Sequence, residues 1–330
     1  MAPLPILADE LIEEILIRFL PDDPASLLRA ALVCKPWCRV VSGPGFRRRF
    51  SEFHRRHRSS RPPVLGFFCT VNKPRAGQQK TQFVPTSPSS FRRLPHAMII
   101  MPNWRPVDAL HGRVLFYDMD TLTHEPPVTL RLVVCNPITG KVWRLPVPPP
   151  NTLWNAALLC ATPGCDDEKF DCGHGHFCVV AVATVDGVTT ACVYSSEQHA
   201  WGMPVSMQRQ GVRVSRGRSA HIGNNNTVYF QCNRNFGVLE YDLCRHELAF
   251  IGLPPECKGK CITLMAAEDG GLGFATIDLE EDSELFTWSR EVGQDGEGRW
   301  VQGRVFVLDG LLSDIEYTRL KQLRLEWLRS

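Results

Sequence analysis

A chain of 330 residues with 44% hydrophobic content is long enough for one large domain or two unequal ones. Its net charge of +2 gives no general pull toward nucleic acid or a membrane surface, and no run of about 18 uncharged apolar residues offers a membrane span. Asp9, Glu10, Glu13 and Glu14 stand where a secretory leader would need its apolar core, so the thirteen scattered cysteines are expected as free thiols in cytoplasm or nucleus.

Three short helices are expected first. Asp9 and Glu10 suit a helix N-terminus, and apolar residues at 11, 12, 15, 16, 19 and 20 keep helical spacing up to Pro21. Asp23-Pro24 supplies an N-cap and an N1 proline for a second helix, with Leu27, Leu28, Ala31 and Leu32 as its apolar face. A third begins near Cys34, carries Pro36 in its first turn and Trp37, Val40 and Val41 inside, and stops at Gly43-Pro44. Three helices this short cannot bury that much apolar surface among themselves, so the segment is expected to dock onto a partner. Seven arginines then fall between 47 and 61. They read as a solvated helix end and a basic linker over 51–61, with a nuclear-localisation signal as the alternative.

From Pro62 onward the pattern changes to short β-rich runs bounded by Gly, Pro, Asn and Asp. One series is centred near 67, 115, 180, 229 and 274. A second interleaves with it: Leu132–Pro137 leading to Trp143-Arg144-Leu145-Pro146, Cys192–Ser195 leading to Trp201-Gly202-Met203-Pro204, Val238–Asp242 leading to Ile251-Gly252-Leu253-Pro254, and a weaker copy from Leu285–Trp288 to Trp300. Tyr194, Tyr241 and Trp288 are spaced by 47 residues. Each unit therefore reads as strand, turn, strand, turn with Asp or Asn, strand, Leu-Pro. A period of about 40–50 residues in all-β sequence points to propeller blades. There is room for about six, with five clear starts. Residues 151–175 read as a long loop, and Ser313–Ser330 as a helix carrying Ile315, Leu320, Leu323 and Trp327.

Chemistry-bearing motifs are sparse. Cys160, Cys165, Cys172, His174, His176 and Cys178 could supply four zinc ligands, but their spacing fits no standard module, and the acidic residues 166–168 suit a solvated loop. Gly270-Gly271-x-Gly273 lacks the following helix and Lys-Ser/Thr of a phosphate loop and reads as the start of a strand. No Gly-x-Ser-x-Gly elbow is present. No catalytic residue, metal or cofactor is expected.

Residues 4–50 resemble an F-box. The resemblance rests on Leu7 with Asp9-Glu10, Ile15-Leu16, Leu20-Pro21, Ser26-Leu27, Val33-Cys34-Lys35, Trp37 and Pro44-x-Phe46. Ala8 departs from the proline usual there. The β-rich region resembles the propeller-like domain that follows the F-box in many grass proteins, through His111–Leu115, Cys135–Gly140, Trp143–Pro146, Val193–Ser196 and Leu239–Leu243. Kelch-type Gly-Gly pairs are rare and WD dipeptides are absent. The resemblance implies an α + β multidomain chain: a three-helix F-box over 1–50, a basic linker over 51–61, an all-β propeller-like domain over 62–310 whose ring is either open or closed by an unusual element, and a helical tail over 311–330. It implies contact with the Skp1 adaptor through Leu7, Leu11, Ile15, Leu16, Leu20, Pro21, Leu27, Val33, Cys34 and Trp37, and through Skp1 with cullin and RING subunits. The implied function is a non-catalytic substrate-recognition adaptor of an SCF-type ubiquitin ligase. The alternative is a Skp1-tethered glycan- or peptide-binding propeller acting outside ubiquitin transfer.

Overall fold

Among the described residues, apolar residues at helical spacing produce four helices ahead of the first strand. The computed structural model describes residues 8–19, 24–43, 45–57, 66–72, 79–86, 100–101, 103–119, 131–149, 155–161, 175–222, 227–232, 237–257, 260, 262–278, 284–293 and 298–307. The chain divides into two units, residues 1–67 with 85–93, and residues 68–84 with 94–330.

In the first unit, α1 spans Asp9–Leu16, α2 Pro24–Ala31, α3 Lys35–Ser42 and α4 Phe46–His57. Helix α1 stops at Leu16, short of the run expected to continue to Leu20. The amides of Ile17, Arg18 and Phe19 close a turn onto Glu13, Ile15 and Leu16 instead. Helix α3 packs against the other three. The buried core is Ile12, Leu16, Ile17, Ala30 and Phe46, flanked by Phe19, Leu27, Trp37, Val40, Val41, Phe50 and Phe53. Helix α4 corrects the reading of a linker from residue 51, because it continues to His57. Its Phe46, Phe50 and Phe53 lie at i, i+4 and i+7, which aligns them on one face, and that face completes the core. The arginines take the remaining positions. Residues 58–61 lie outside the described residues.

The second unit is mostly strand. A three-stranded sheet is formed by β1 (Gly66–Asn72), β2 (Gln79–Pro85) and β3 (Ile100–Met101). Four antiparallel meanders follow. The first is β4 (Trp104–Leu110), β5 (Arg113–Asp118), β6 (Arg131–Asn136) and β7 (Lys141–Arg144). The second is β8 (Asn155–Cys160), β9 (Phe177–Val185) and β10 (Val188–Ser195), with β11 (Ala200–Trp201) and β12 (Val205–Gln208) sharing the outer side of β10. The third is β13 (Val214–Ile222), β14 (Thr227–Cys232), β15 (Gly237–Asp242) and β16 (Glu247–Gly252). The fourth is β17 (Ile262–Ala266), β18 (Leu272–Asp278), β19 (Glu284–Val292) and β20 (Gly298–Val307).

The leading strands β4, β8, β13 and β17 lie side by side in that order, and β13 also reaches β4. The meanders thus radiate from a shared set of inner strands in a propeller-like arrangement. Successive meanders bury their facing surfaces against one another. Leu115, Leu132, Val134 and Leu145 meet Ala156, Leu158, Phe177 and Val179. Ala157, Leu159, Val180 and Val182 meet Val228, Phe230, Leu239 and Tyr241. Val238, Ile251 and Leu253 meet Ile262, Leu272 and Phe274. The strands of β8 and β9 are buried on both faces, which explains their unbroken apolar runs.

That burial also overturns the reading of 151–175 as one loop. Asn155–Cys160 is a strand, and its Ala-Ala-Leu-Leu run shows no alternation because neither face is solvated. The five expected strand starts fall on β1, β5, β9, β14 and β18, and the second series on β6, β10, β15 and β19.

Candidate partner-binding surface

The helical unit leaves large apolar side chains in water. Leu11 and Ile15 are 55% and 45% exposed, Leu28 and Leu32 63% and 84%, and Val33 69%. Leu11 and Ile15 sit one turn apart on the same side of α1, and Leu28 and Leu32 repeat that spacing at α2 and its C-terminal turn, so each pair forms a stripe. Burying one such side chain yields about 1.5–3 kcal/mol. Apolar exposure of this kind, opposite a packed core, makes this face the candidate docking surface of the helical unit.

The ten expected adaptor contacts divide into three groups. Leu11, Ile15, Val33 and Cys34 are exposed. Leu16 is fully buried, while Leu27 and Trp37 pack against the same core; these three hold the helices together. Leu7, Leu20 and Pro21 lie outside the described residues. Leu28 and Leu32 belong with the exposed group. Their place in the apolar pattern of α2 was visible, but the side of the helix that faces the core was not.

Charged contacts tie α1, which carries the first stripe, to α4. Arg49 of α4 pairs with Glu13 of α1, and Arg18 pairs with Glu14 at 2.6 Å while its guanidinium lies 5.8 Å from the Phe53 ring centre. The Glu13 carboxylate is largely buried, which strengthens its pair relative to the exposed Glu14 one. At the head of α1, Ala8 has φ −63° and makes no side-chain cap. That φ is the one a proline ring imposes.

The β unit presents turns on a rigid scaffold. The β4–β5 and β9–β10 hairpins turn on His111-Gly112 and Asp186-Gly187, both residues having positive φ, as the two-residue turn that matches strand twist requires. Three meanders share one four-residue turn before the outer strand, closed by Asn136↔Lys141, Ser195↔Ala200 and Asp242↔Glu247. Each has positive φ at its last position, held by Gly140, His199 and His246. The first residue caps it from the side chain. Asn136 Oδ1 accepts the amides of Ile138 and Thr139, and Asp242 Oδ1 those of Cys244 and Arg245. The Arg245 amide bond holds the exposed Asp242 carboxyl below its usual range.

Neighbouring meanders are tied by indole nitrogens. Trp201 Nε1 donates to the Pro146 carbonyl at 2.9 Å, and Trp300 Nε1 to the Gly252 carbonyl at 2.7 Å. Between the meanders of β12 and β16, Arg209 lies over the Phe250 ring at 4.1 Å instead. The inner strands are latched by polar side chains. Asp108 on β4 accepts the Leu158 amide of β8 and its neighbour Ala109, each at 2.8 Å. Asn155 on β8 donates to the Ser215 carbonyl at 2.9 Å. Burial pushes the Asp108 carboxyl up from 3.8 to about 6, against the pull of those two amide bonds.

The cysteine–histidine run does not converge where it can be followed. Cys160 pairs with Phe177, and Leu159 with Cys178. Paired residues share a face, so the two thiols project to opposite sides of the sheet. Cys165, Cys172 and His174 lie outside the described residues. Among the described residues no three side chains of the metal-binding types cluster, and no helix is long and apolar enough to cross a membrane.

No protein-family model matches the chain, and a search of curated proteins returns no match. Among solved structures the chain is similar to U3-55K, at 10% identity over 70% of this chain and 63% of that one, with a TM-score of 0.37. It is similar to the RRP9 WD40 repeats at 9% identity over 73% and 70%, with a TM-score of 0.36. The propeller domain of the Trilobed protease from Pyrococcus furiosus aligns at 10% identity over 75% and 83%, with a TM-score of 0.33. The chain spans 63% of the first of these and 33% of a prolyl endopeptidase that it also matches. The propeller-like arrangement described above rests on its own strand pairings.

Proposed function

We propose that this chain is the substrate-recognition adaptor of an SCF-type ubiquitin ligase, its helical unit binding a Skp1-like adaptor and its β unit holding a target protein. The observation that carries the reading is the exposure of Leu11, Ile15, Leu28, Leu32 and Val33 on a segment whose landmark residues resemble an F-box. Helices laid apolar side down into a partner's groove would cover those stripes. The chain performs no bond chemistry in this role. It supplies proximity, raising the effective concentration of a target's lysines beside a ubiquitin-charged enzyme. The turns between strands, set on a packed frame, are where a target is expected to be read.

The test is co-expression with a Skp1-type adaptor and a cullin. The wild-type chain is expected to co-purify with both, and Leu11→Asp/Ile15→Asp to lose both while keeping its fold, since neither residue belongs to the core. Retention of the adaptor by the double variant would overturn the docking surface. An adaptor complex that never contains cullin would move the reading to a tethered glycan- or peptide-binding module.

A further inference from the structure

The candidate docking surface carries two thiols that its apolar stripes do not account for. Among the described residues the exposed cysteines are Cys34, Cys38 and Cys244. Cys244 is the only cysteine of the β15–β16 turn. Burial pushes the thiols of Cys135, Cys192 and Cys232 up to about 12, which keeps them protonated and inert. Cys34 and Cys38 differ from these in lying together. Cys34 directly follows the exposed Leu32 and Val33, and the Cys38 amide donates to the Cys34 carbonyl at 3.1 Å, the bond that opens α3. One turn of helix sets their Cα atoms about 6 Å apart, within the separation of about 4.4–6.8 Å that a disulfide spans. Residues four apart on a helix hold their Cβ atoms about 5–6 Å apart, and a disulfide needs about 3.5–4.5 Å. Cys34 can supply that shift. It stands just before α3 in extended conformation, with φ −159° and ψ 162°, and its side chain makes no cap hydrogen bond. The Cys38 Sγ rests 4.0 Å from Ser42 Oγ, a weak contact that rotation of an exposed side chain gives up.

We propose that Cys34 and Cys38 join in a reversible intrachain disulfide that turns the docking surface off, a regulation that rests on the docking reading above. The oxidant is hydrogen peroxide. One sulfur, as thiolate, attacks a peroxide oxygen and breaks the O–O bond, giving a sulfenic acid while the other oxygen leaves as water. The second thiol attacks that sulfur, the S–O bond breaks, and the hydroxyl leaves as a second water. Two electrons and two protons pass from the sulfurs to the peroxide. The new bond draws Cys34 onto α3 and shifts the turn between α2 and α3 that presents Leu32 and Val33, so the second stripe no longer fits its groove. A thiol reductant reverses the step, the more readily because the pair must distort to close.

One tryptic peptide, residues 30–39, reports the bond, because Pro36 protects Lys35 from cleavage. A Skp1-type adaptor is titrated into the reduced full chain, into the chain treated with hydrogen peroxide, and into the treated chain after a thiol reductant. Treatment is expected to cost the peptide two hydrogen atoms and to weaken adaptor binding by about tenfold or more, and the reductant to restore both. Cys38→Ser is expected to bind as wild type when reduced and to keep its affinity after peroxide. A peptide that retains both thiols, or gains oxygen at sulfur instead, would overturn the proposal. So would a bonded chain of unchanged affinity, or an equal loss of binding by treated Cys38→Ser. A reduced chain that binds no adaptor contradicts the docking reading and the regulation built on it, while the peptide mass still decides whether the pair closes.

Discussion

The two units of this chain treat apolar side chains in opposite ways. In the β unit, Leu115, Val134, Val180, Phe230, Leu239 and Phe274 have essentially no exposed surface, because each meander finds a neighbour for its face. In the helical unit one core is shared by four short helices, and once it is full the next aliphatic residues have nowhere to go. Leu11 and Leu32 therefore stay in water although they belong to the same apolar pattern as Leu16 and Leu27. The first arrangement buries its apolar faces internally, and the second leaves apolar stripes in water. The difference follows from geometry: a sheet has two faces to stack and can be repeated, whereas a helix of eight residues presents one narrow stripe to each neighbour.

The sharpest way to break the comparison is to hollow the self-sufficient unit. Phe274 is buried between Trp288, at 5.9 Å and stacked, and Trp300, at 4.9 Å and edge-on. Phe274→Ala is expected to cost about 3–5 kcal/mol in denaturant unfolding, whereas Leu32→Ala in the helical unit should stay within about 0.5 kcal/mol. Comparable losses would contradict the division.

The next effect is electrostatic. Asp108 holds its proton to about pH 6 when folded, against 3.8 for the ordinary group, so the native state binds that proton more tightly than the unfolded chain. Its contribution is fully present below about pH 4 and is lost as pH rises through about 6, amounting to about 3 kcal/mol by pH 7. Asp108→Asn removes this dependence. The variant's stability relative to wild type should therefore climb between pH 4 and 7, as measured by urea unfolding at several pH values. A constant difference would show that the carboxyl is not desolvated between β4 and β8.

The smallest effect sharpens the repeat. His199 adopts positive φ at the position that Gly140 fills one meander earlier, so His199→Gly should stabilise by about 0.5 kcal/mol or slightly more in thermal unfolding. His246 shares the conformation but its ring meets the Tyr241 hydroxyl at 3.0 Å, and His246→Gly should gain less.

Much of this was legible in the residues. The turns with Asn136 and Asp242, the tryptophans 201 and 300, and the Leu-Pro ends recur visibly because the same turn closes three meanders and the same indole tie joins two pairs of them. The inner strands were hidden. Strand β8 is too uniformly apolar to alternate, while β4 contains Pro106 and Asp108 and β13 runs Val-Ser-Arg-Gly-Arg-Ser; strands crowded around inner neighbours are shaped by polar latches and close packing rather than by a wet and a dry face. In the helical unit the apolar spacing located the helices, but assigning Leu16 to the core and Leu11 to the surface needed α3 and α4 in place. The aromatic stripe of α4 was masked by its arginines.

The central claim is that the exposed stripes of the helical unit are an adaptor-docking surface. A calorimetric titration of a purified Skp1-type adaptor into the wild-type chain and into Leu11→Ser/Leu32→Ser tests it most directly. Saturable binding by wild type is expected. The variant should bind at least one hundredfold more weakly, since two lost aliphatic contacts are worth about 3 kcal/mol or more, with its unfolding transition unchanged. Equal affinity in the two proteins, or no binding by a folded wild-type chain, would contradict the account.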